Sequence, residues 1–130
     1  MKFSLLVLAA PYSDQSVGTA LRFAQTLLQQ GHEIFRVFFY HNGVYASNAL
    51  STAPQDEANI PQQWQQLAQD HNIDMVSCIA SALKRGVLDE TEAQRYDQPC
   101  HNLLAGFELS GLGQLVEASA QSDRVVSFGA

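Results

Sequence analysis

Two continuous apolar runs, with a helical pattern between them, constrain the fold of this chain more than any other feature. Residues 2–9 (KFSLLVLA) form the first run, and residues 34–40 (IFRVFFY) form the second. Between them, from Val17 to Leu28, apolar residues recur at helical spacing. Continuous apolar runs are typical of parallel strands that are covered on both faces. Strand, helix and strand in this order predict a βαβ unit with a right-handed crossover.

Residue types at both ends of the helical pattern set its expected limits. Ser16 precedes the pattern and is a suitable N-cap residue, since its hydroxyl can accept a hydrogen bond from a backbone N–H of the first turn. Gly31 follows the pattern and is a suitable stop signal. The helix is therefore predicted over residues 17–30.

The same alternation continues to the end of the chain. Further strands are predicted at residues 74–78 and 124–128, and helical elements near Pro61, at 79–85 and from residue 89 to 95. Residues 107–118 (FELSGLGQLVEA) predict a glycine-interrupted turn followed by a helix. The expected fold is α/β: a single doubly wound domain over residues 1–130, with a mostly parallel sheet of four or five strands and helices on both faces.

Charge and composition exclude several classes of function. The chain of 130 residues has a formal net charge of -6 and a pI of about 4.9. Such a chain has no electrostatic footprint for nucleic acid and is repelled by anionic membranes. No segment approaches the roughly 20 apolar residues of a membrane span, and the first apolar run is short for a signal peptide. Two cysteines without CxxC spacing predict free thiols, so we expect a cytoplasmic protein.

The loop after the first strand offers hydroxyl groups for a phosphate, as in a flavodoxin-like nucleotide or flavin site. Ser13, Ser16 and Thr19 lie at the predicted helix N-terminus. However, neither a G-x-G-x-x-G nor a P-loop motif is present, and Asp14 stands where a phosphate would bind. These residues favour simple capping of the helix, and no cofactor is predicted.

Neither the histidines nor the clustered carboxylates predict a metal site. The four histidines are scattered at positions 32, 41, 71 and 101, without the short spacing that metal ligands need. Only His41 follows directly after a predicted strand, where it could line a cleft. Asp89, Glu90 and Glu92 fall in one turn, but acidic side chains are favoured at the start of a helix.

Cys78 is the candidate catalytic residue, because it lies where a predicted strand ends and a helix begins. Unpaired backbone N–H groups and the positive helix end favour the thiolate there. Position alone leaves two interpretations open, a reactive thiol and an inert buried hydrophobe. Lys84 and Arg85 lie two turns further on, where screening weakens their effect. No histidine can be assigned as a base for Cys78, which favours sulfur transfer over hydrolysis.

Several stretches together resemble the TusD/DsrE family of sulfurtransferase subunits. They cover nearly the whole chain in order: VFFYHNGVY (37–45), Cys78 at its strand-to-helix junction, ALKRGVLDETEA (82–93), GFELSGLGQLVEAS (106–119) and DRVVSF (123–128). The resemblance implies a DsrE-like fold and a persulfide on Cys78, with no metal or organic cofactor. It gives no role to Cys100, which lies in an irregular segment.

The resemblance also implies a place in a sulfur relay. Cys78 would accept sulfane sulfur from an upstream carrier and pass it to a downstream protein, for 2-thiolation of the tRNA wobble uridine. The implied partners are TusB- and TusC-like sister subunits in a heterohexamer, and the acidic charge agrees with a chain that touches proteins rather than tRNA. Two alternatives remain open at this point: a DsrE-type subunit of dissimilatory sulfur oxidation, and a non-catalytic assembly subunit.

Overall fold

Five strands and six helices alternate along residues 1–129, which the computed structural model describes. In chain order they are β1 (Lys2–Val7), α1 (Ser16–Gln29), β2 (Glu33–Phe39), a 3₁₀ helix (His41–Ser47), α2 (Ile60–His71), β3 (Asp74–Cys78), α3 (Ile79–Lys84), α4 (Glu90–Arg95), β4 (Phe107–Ser110), α5 (Gly113–Gln121) and β5 (Arg124–Phe128). Within these residues no helix has the length and apolar character needed to cross a membrane.

The five strands form one sheet in the order β4-β3-β2-β1-β5, and every neighbouring pair is parallel. The predicted α/β fold with a mostly parallel sheet of four or five strands is thereby confirmed. From β1 the chain moves outward to β4 and then returns to the other side of β1 as β5. Because parallel crossovers are right-handed, this reversal puts α5 on the face opposite α1 and α2.

Each face of the sheet has its own apolar cluster. On the first face, α1 and α2 pack on the strands, and the Phe39 ring lies 5.4 Å from the rings of both Trp64 and Phe107. On the second face, Phe38, Val76 and Cys78 are buried together and pack against Leu115 of α5. Burial on both faces explains why the strands have continuous apolar sequences.

A buried arginine fixes α5 to the second face. Arg36 of β2 donates from Nε to Asp74 at 2.6 Å and from Nη1 to the Gln114 carbonyl at 2.8 Å, and it forms an ion pair with Glu117 at 3.0 Å. Burial by itself lowers the pKa of Arg36, but the hydrogen bonds to Asp74 and Glu117 outweigh it and raise the pKa. Arg36 therefore stays charged and joins β2, β3 and α5.

The structure corrects the predicted cap of α1. Ser16 is the first helical residue rather than the N-cap, and Gln15 at the cap position makes no side-chain hydrogen bond. Instead, the Asp14 carboxylate accepts hydrogen bonds from the hydroxyl and the backbone N–H of Ser16, and both bonds lower the pKa of Asp14. The carboxylate has taken the role of the cap, with a charge that suits the positive end of the helix.

Strand β4 was not predicted. Residues 107–118 were predicted to form a turn and a helix, and the helix is present as α5. The first four residues of this stretch, Phe107–Ser110, instead form a strand that pairs with β3. Four residues at a sheet edge are too few for a periodic pattern to be recognised. The remaining strands and helices fall within two residues of their predicted limits where limits were given.

The 3₁₀ helix after β2 is pressed against the end of β1. A Cβ atom added to Gly43 would lie 2.1 Å from the carbonyl oxygen of Val7, so only glycine fits. The backbone N–H of Tyr40 donates to the same oxygen at 2.9 Å. This close approach determines where the chain turns after β2.

We expect Gly43→Ala to destabilise the fold by about 2–3 kcal/mol, since the added methyl group overpacks a backbone contact. The matched control is Gly113→Ala at the start of α5, where an added Cβ meets no atom within 4 Å, so we expect no loss of stability. Urea unfolding monitored by the fluorescence of the buried Trp64 measures both. Equal stability of the two variants would show that the close approach at Gly43 does not constrain the loop.

Candidate functional site: the cavity at Cys78

Parallel pairing brings the ends of three strands together around Cys78. Phe39 of β2 pairs with Ser77 of β3, so the chain leaves both strands at the same level. Cys78 itself pairs with Ser110 of β4 on the other side. The loops that follow β2 and β4 therefore flank the junction between β3 and α3, at the sheet edge where α/β proteins bind ligands.

A cavity of about 320 Å³ opens at this junction, and we call it the Cys78 cavity. Its lining includes Cys78, Tyr40 and His41 from the loop after β2, and Leu112 from the loop after β4. The Cys78 side chain is only 2% exposed, and its thiol is free. The thiol thus borders the cavity but is shielded from bulk solvent, so only a slender group can reach it.

Hydrogen bonds join the loop after β2 to α3. The backbone N–H of His41, a residue with a positive φ of 50°, donates to Ser81 Oγ at 3.1 Å. Arg85 donates from Nε to Asn42 Oδ1 at 2.8 Å and from Nη1 to the Ser81 carbonyl at 3.2 Å. These bonds hold one wall of the cavity in place and orient the Arg85 guanidinium.

Lys84 and Arg85 lie at the end of α3, as predicted, and both also line the Cys78 cavity, which their distance from Cys78 in the sequence did not indicate. The sequence distance was misleading because α3 is short and its last turn stays beside the cavity. No carboxylate belongs to the lining, and neither cation forms an ion pair within residues 1–129. A chain with a net charge of -6 therefore has a locally positive site at its buried thiol.

No histidine could be assigned beside Cys78 from the sequence, but His41, which was expected to line a cleft, lines the same cavity. Its ring packs against Tyr40, with ring centroids 4.2 Å apart, and no hydrogen bond joins its imidazole to the thiol among the described residues. The absence of a histidine therefore no longer argues for sulfur transfer, and that chemistry must rest on other grounds. The position of His41 directly after β2 was the sequence signal for its place here.

Cys100 lies in a different environment. It is exposed and lines a second, larger cavity of about 710 Å³ together with Leu50, Tyr96 and Pro99. Ala80 and Lys84 line both cavities, so α3 forms the wall between them. The two cysteines are therefore on opposite sides of one short helix.

The loop before α1 does not provide a free phosphate site. Both the hydroxyl and the N–H of Ser16 donate to Asp14, and Thr19 Oγ accepts a hydrogen bond from Arg22 at 3.2 Å. The carboxylate would repel a phosphate at the position where the helix N-terminus would bind it. The hydroxyl groups of Ser16 and Thr19 are therefore engaged within the chain, although Asp14, and not Ser16, acts as the cap.

The remaining candidate groups have structural contacts. Asp89 caps α4 by accepting from the Glu92 N–H at 2.8 Å, as its sequence position indicates. Glu92 is buried and forms an ion pair with Arg95 at 3.3 Å. Within residues 1–129 no three histidine, cysteine or acidic side chains come together in a way that could hold a metal ion.

The difference in exposure predicts different labelling of the two thiols. We expect pyrenylmaleimide, whose ring system is bulky, to modify Cys100 in the folded protein and leave Cys78 unmodified, because Cys78 lies at the wall of a narrow cavity. In urea both thiols should react, and the folded Cys100→Ser variant should remain unlabelled. Peptide mass spectrometry locates the label. Equal labelling of both thiols in the native protein would contradict the described burial.

Comparisons with known proteins extend the resemblance to the whole chain. The model of the DsrE/DsrF-like family matches residues 1–128. A protein of Allochromatium vinosum named "Putative sulfurtransferase DsrE" is 50% identical over 129 residues, which cover 99% of each chain. "Sulfurtransferase TusD" of Salmonella newport is 47% identical, over 98% of this chain and 100% of its own.

A solved structure has the same fold. The YchN protein of E. coli superposes with a TM-score of 0.78 at 23% identity, covering 98% of this chain and 99% of its own. The family model and both relatives span almost the entire sequence, in agreement with the resemblance found in its motifs. The chain belongs to the DsrE/DsrF-like family.

Proposed function

We propose that this sulfurtransferase carries sulfur as a persulfide on Cys78 and passes it to a downstream protein for 2-thiolation of the tRNA wobble uridine. One observation carries the proposal: a free thiol borders a cationic cavity at the carboxyl edge of the sheet. Two relatives that match over almost their whole length are named sulfurtransferases, and this supports sulfur as the transferred group. In this proposal residues 1–130 form one sulfurtransferase domain.

Sulfur transfer of this kind needs one nucleophilic sulfur and no added oxidant. The Cys78 thiolate attacks the outer sulfur of a donor persulfide, R–S–SH; the new S–S bond forms while the donor's S–S bond breaks. Its electron pair leaves on R–S⁻, and Cys78 becomes Cys–S–SH. An acceptor thiolate then attacks the outer sulfur and releases the Cys78 thiolate. Since the transferred sulfur keeps its oxidation state, neither a metal nor an organic cofactor is required.

The cavity supports both steps of this exchange. Lys84 and Arg85 place positive charge where an anionic donor approaches and where a thiolate departs. Shielding of Cys78 from bulk solvent protects a persulfide from reaction with unrelated solutes. The thiol of Cys100 is exposed and so lacks this shielding, and its cavity on the other side of α3 is lined by Lys84 but not by Arg85.

A relay requires protein partners, and we propose an upstream sulfur carrier, a downstream acceptor, and TusB- and TusC-like sister subunits in a cytoplasmic heterohexamer. The name of the Salmonella relative supports this placement. Two apolar side chains of the α5 region, Leu112 and Val116, are 47% and 68% exposed, and Leu112 also lines the Cys78 cavity. The net charge of -6 supports contact with proteins rather than with tRNA.

A second candidate function is sulfur transfer in dissimilatory sulfur oxidation. It is favoured by the 50% identity to the Allochromatium protein named DsrE. The residue and the exchange chemistry are the same in both functions, but sulfur flows toward an oxidative pathway rather than toward tRNA. A third candidate, a non-catalytic assembly subunit, is opposed by the presence of a free thiol, Cys78, at the wall of a cavity.

The persulfide assignment predicts that one cysteine accepts sulfur. With a cysteine desulfurase, its carrier protein and radiolabelled cysteine, we expect label on the wild type and on Cys100→Ser, and only background label on Cys78→Ser. Cys100→Ser is the matched control, because it also removes one thiol from the wall of a cavity next to α3. Undiminished labelling of Cys78→Ser would refute the assignment.

The proposed role in tRNA thiolation, which we call the tRNA branch, predicts a cellular phenotype. Cells whose only copy carries Cys78→Ser should lose 2-thiouridine at the wobble position, measured by mass spectrometry of nucleosides from total tRNA. Cells with Cys100→Ser should keep it. Normal 2-thiouridine in the Cys78→Ser cells, together with normal loading of the wild-type protein in vitro, would rule out the tRNA branch and favour sulfur oxidation.

A further inference from the structure

We propose that the Cys78 cavity binds small oxyanionic sulfane donors of the thiosulfate type, with Arg85 and Lys84 holding the oxyanion while Cys78 takes the outer sulfur. The inference rests on the proposed role of Cys78 and adds the class of small molecule that the site accepts. It is carried by the charge, the size and the hydrogen bonding of the cavity.

The Arg85 guanidinium is oriented but not neutralised. Its two hydrogen bonds go to neutral oxygens, those of the Asn42 side chain and the Ser81 carbonyl, and they use Nε and Nη1. Among residues 1–129, Nη2 has no hydrogen-bond partner and no carboxylate pairs with Arg85. A guanidinium held in this way has N–H groups left in a fixed planar arrangement, and these can donate hydrogen bonds to an oxyanion.

Arg36 differs from Arg85 because its charge is neutralised by carboxylates. Arg36 is buried, and Asp74 and Glu117 both compensate its charge. At the Cys78 cavity the lining holds two cations, Lys84 and Arg85, and no acidic side chain. In a chain with 13 acidic and 7 basic residues, this arrangement favours the binding of an anionic ligand.

The size of the cavity favours a small donor. Cys78 is 2% exposed beside a space of about 320 Å³. A thiosulfate ion has only a few atoms and fits within such a space, whereas a protein donor has to extend its persulfide-bearing cysteine into it. Lys84 lies at the exposed side of the lining and Arg85 is half-buried, so both can meet the oxygens of a donor whose sulfur points inward.

The reaction with thiosulfate balances without a further reagent. The Cys78 thiolate attacks the outer sulfur of ⁻S–SO₃⁻, the S–S bond of thiosulfate breaks, and its electron pair leaves on sulfite. The products are Cys78–S–S⁻ and SO₃²⁻, so the total charge and all atoms are conserved. If the thiol begins protonated, its proton passes to solvent.

A charge-selectivity experiment tests the anion site without using sulfur transfer. Iodoacetate and iodoacetamide are similar in size, but only iodoacetate is anionic, so the ratio of their rates at Cys78 reports the local potential. We expect this ratio to fall roughly fivefold in Arg85→Gln and in Lys84→Gln. The Lys84 side chain makes no hydrogen bond among the described residues, so Lys84→Gln tests the charge even if Arg85→Gln loosens the loop. An unchanged ratio in both variants would overturn the anion site.

The matched control is Arg22→Gln. Arg22 also lacks a carboxylate partner among the described residues, but it lines a different cavity, beside Asp14 and α1. We expect its rate ratio at Cys78 to equal that of the wild type. A fall as large as that of Arg85→Gln would mean that overall charge, rather than the cavity, determines the selectivity, and would overturn the proposal.

The donor itself is tested with thiosulfate. We expect sulfite release and one added sulfur atom on Cys78 of the wild type, with a KM for thiosulfate raised severalfold in Arg85→Gln and Lys84→Gln. If thiosulfate leaves Cys78 unmodified while a protein-borne persulfide loads it, this inference fails and the proposed function stands. If neither donor loads Cys78, both fail.

Discussion

Parallel pairing between β2, β3 and β4 is the constraint on which the rest of the structure depends. The register sets Phe39 opposite Ser77 and Cys78 opposite Ser110, so three loops leave the sheet at one level. A shift of one residue would exchange the two faces of β3 and turn Cys78 away from the cluster it forms with Phe38 and Val76. The site is therefore a consequence of strand register.

Two contacts stabilise the loops that this register brings together. Gly43 lets the 3₁₀ helix approach the Val7 carbonyl, which fixes the direction of the chain that carries His41. On the second face, Arg36 holds α5 through the Gln114 carbonyl and Glu117, and α5 follows directly after Leu112. Together they position both walls of the cavity, and α3 between these walls carries Lys84 and is followed by Arg85.

Much of this architecture could be predicted from the sequence, because continuous apolar runs and helical spacing are local signals. β4 could not, since its four residues at a sheet edge have no distinctive period. The strand-to-helix junction at Cys78 was predicted and is present in the structure, whereas the role of Cys78 as the sulfur carrier follows from the family resemblance and stays a prediction. His41 was expected to line a cleft from its position after β2, but the approach of Lys84 and Arg85 to the same cavity was missed, because it depends on strand order and on the short length of α3.

The central claim is that sulfur resides on Cys78. The most direct measurement is tandem mass spectrometry of the protein isolated from its native cells and alkylated at the moment of lysis. The account predicts a fraction of Cys78 with one additional sulfur atom and Cys100 without it. Additional sulfur on Cys100 alone, with Cys78 unmodified in cells that are actively transferring sulfur, would contradict it.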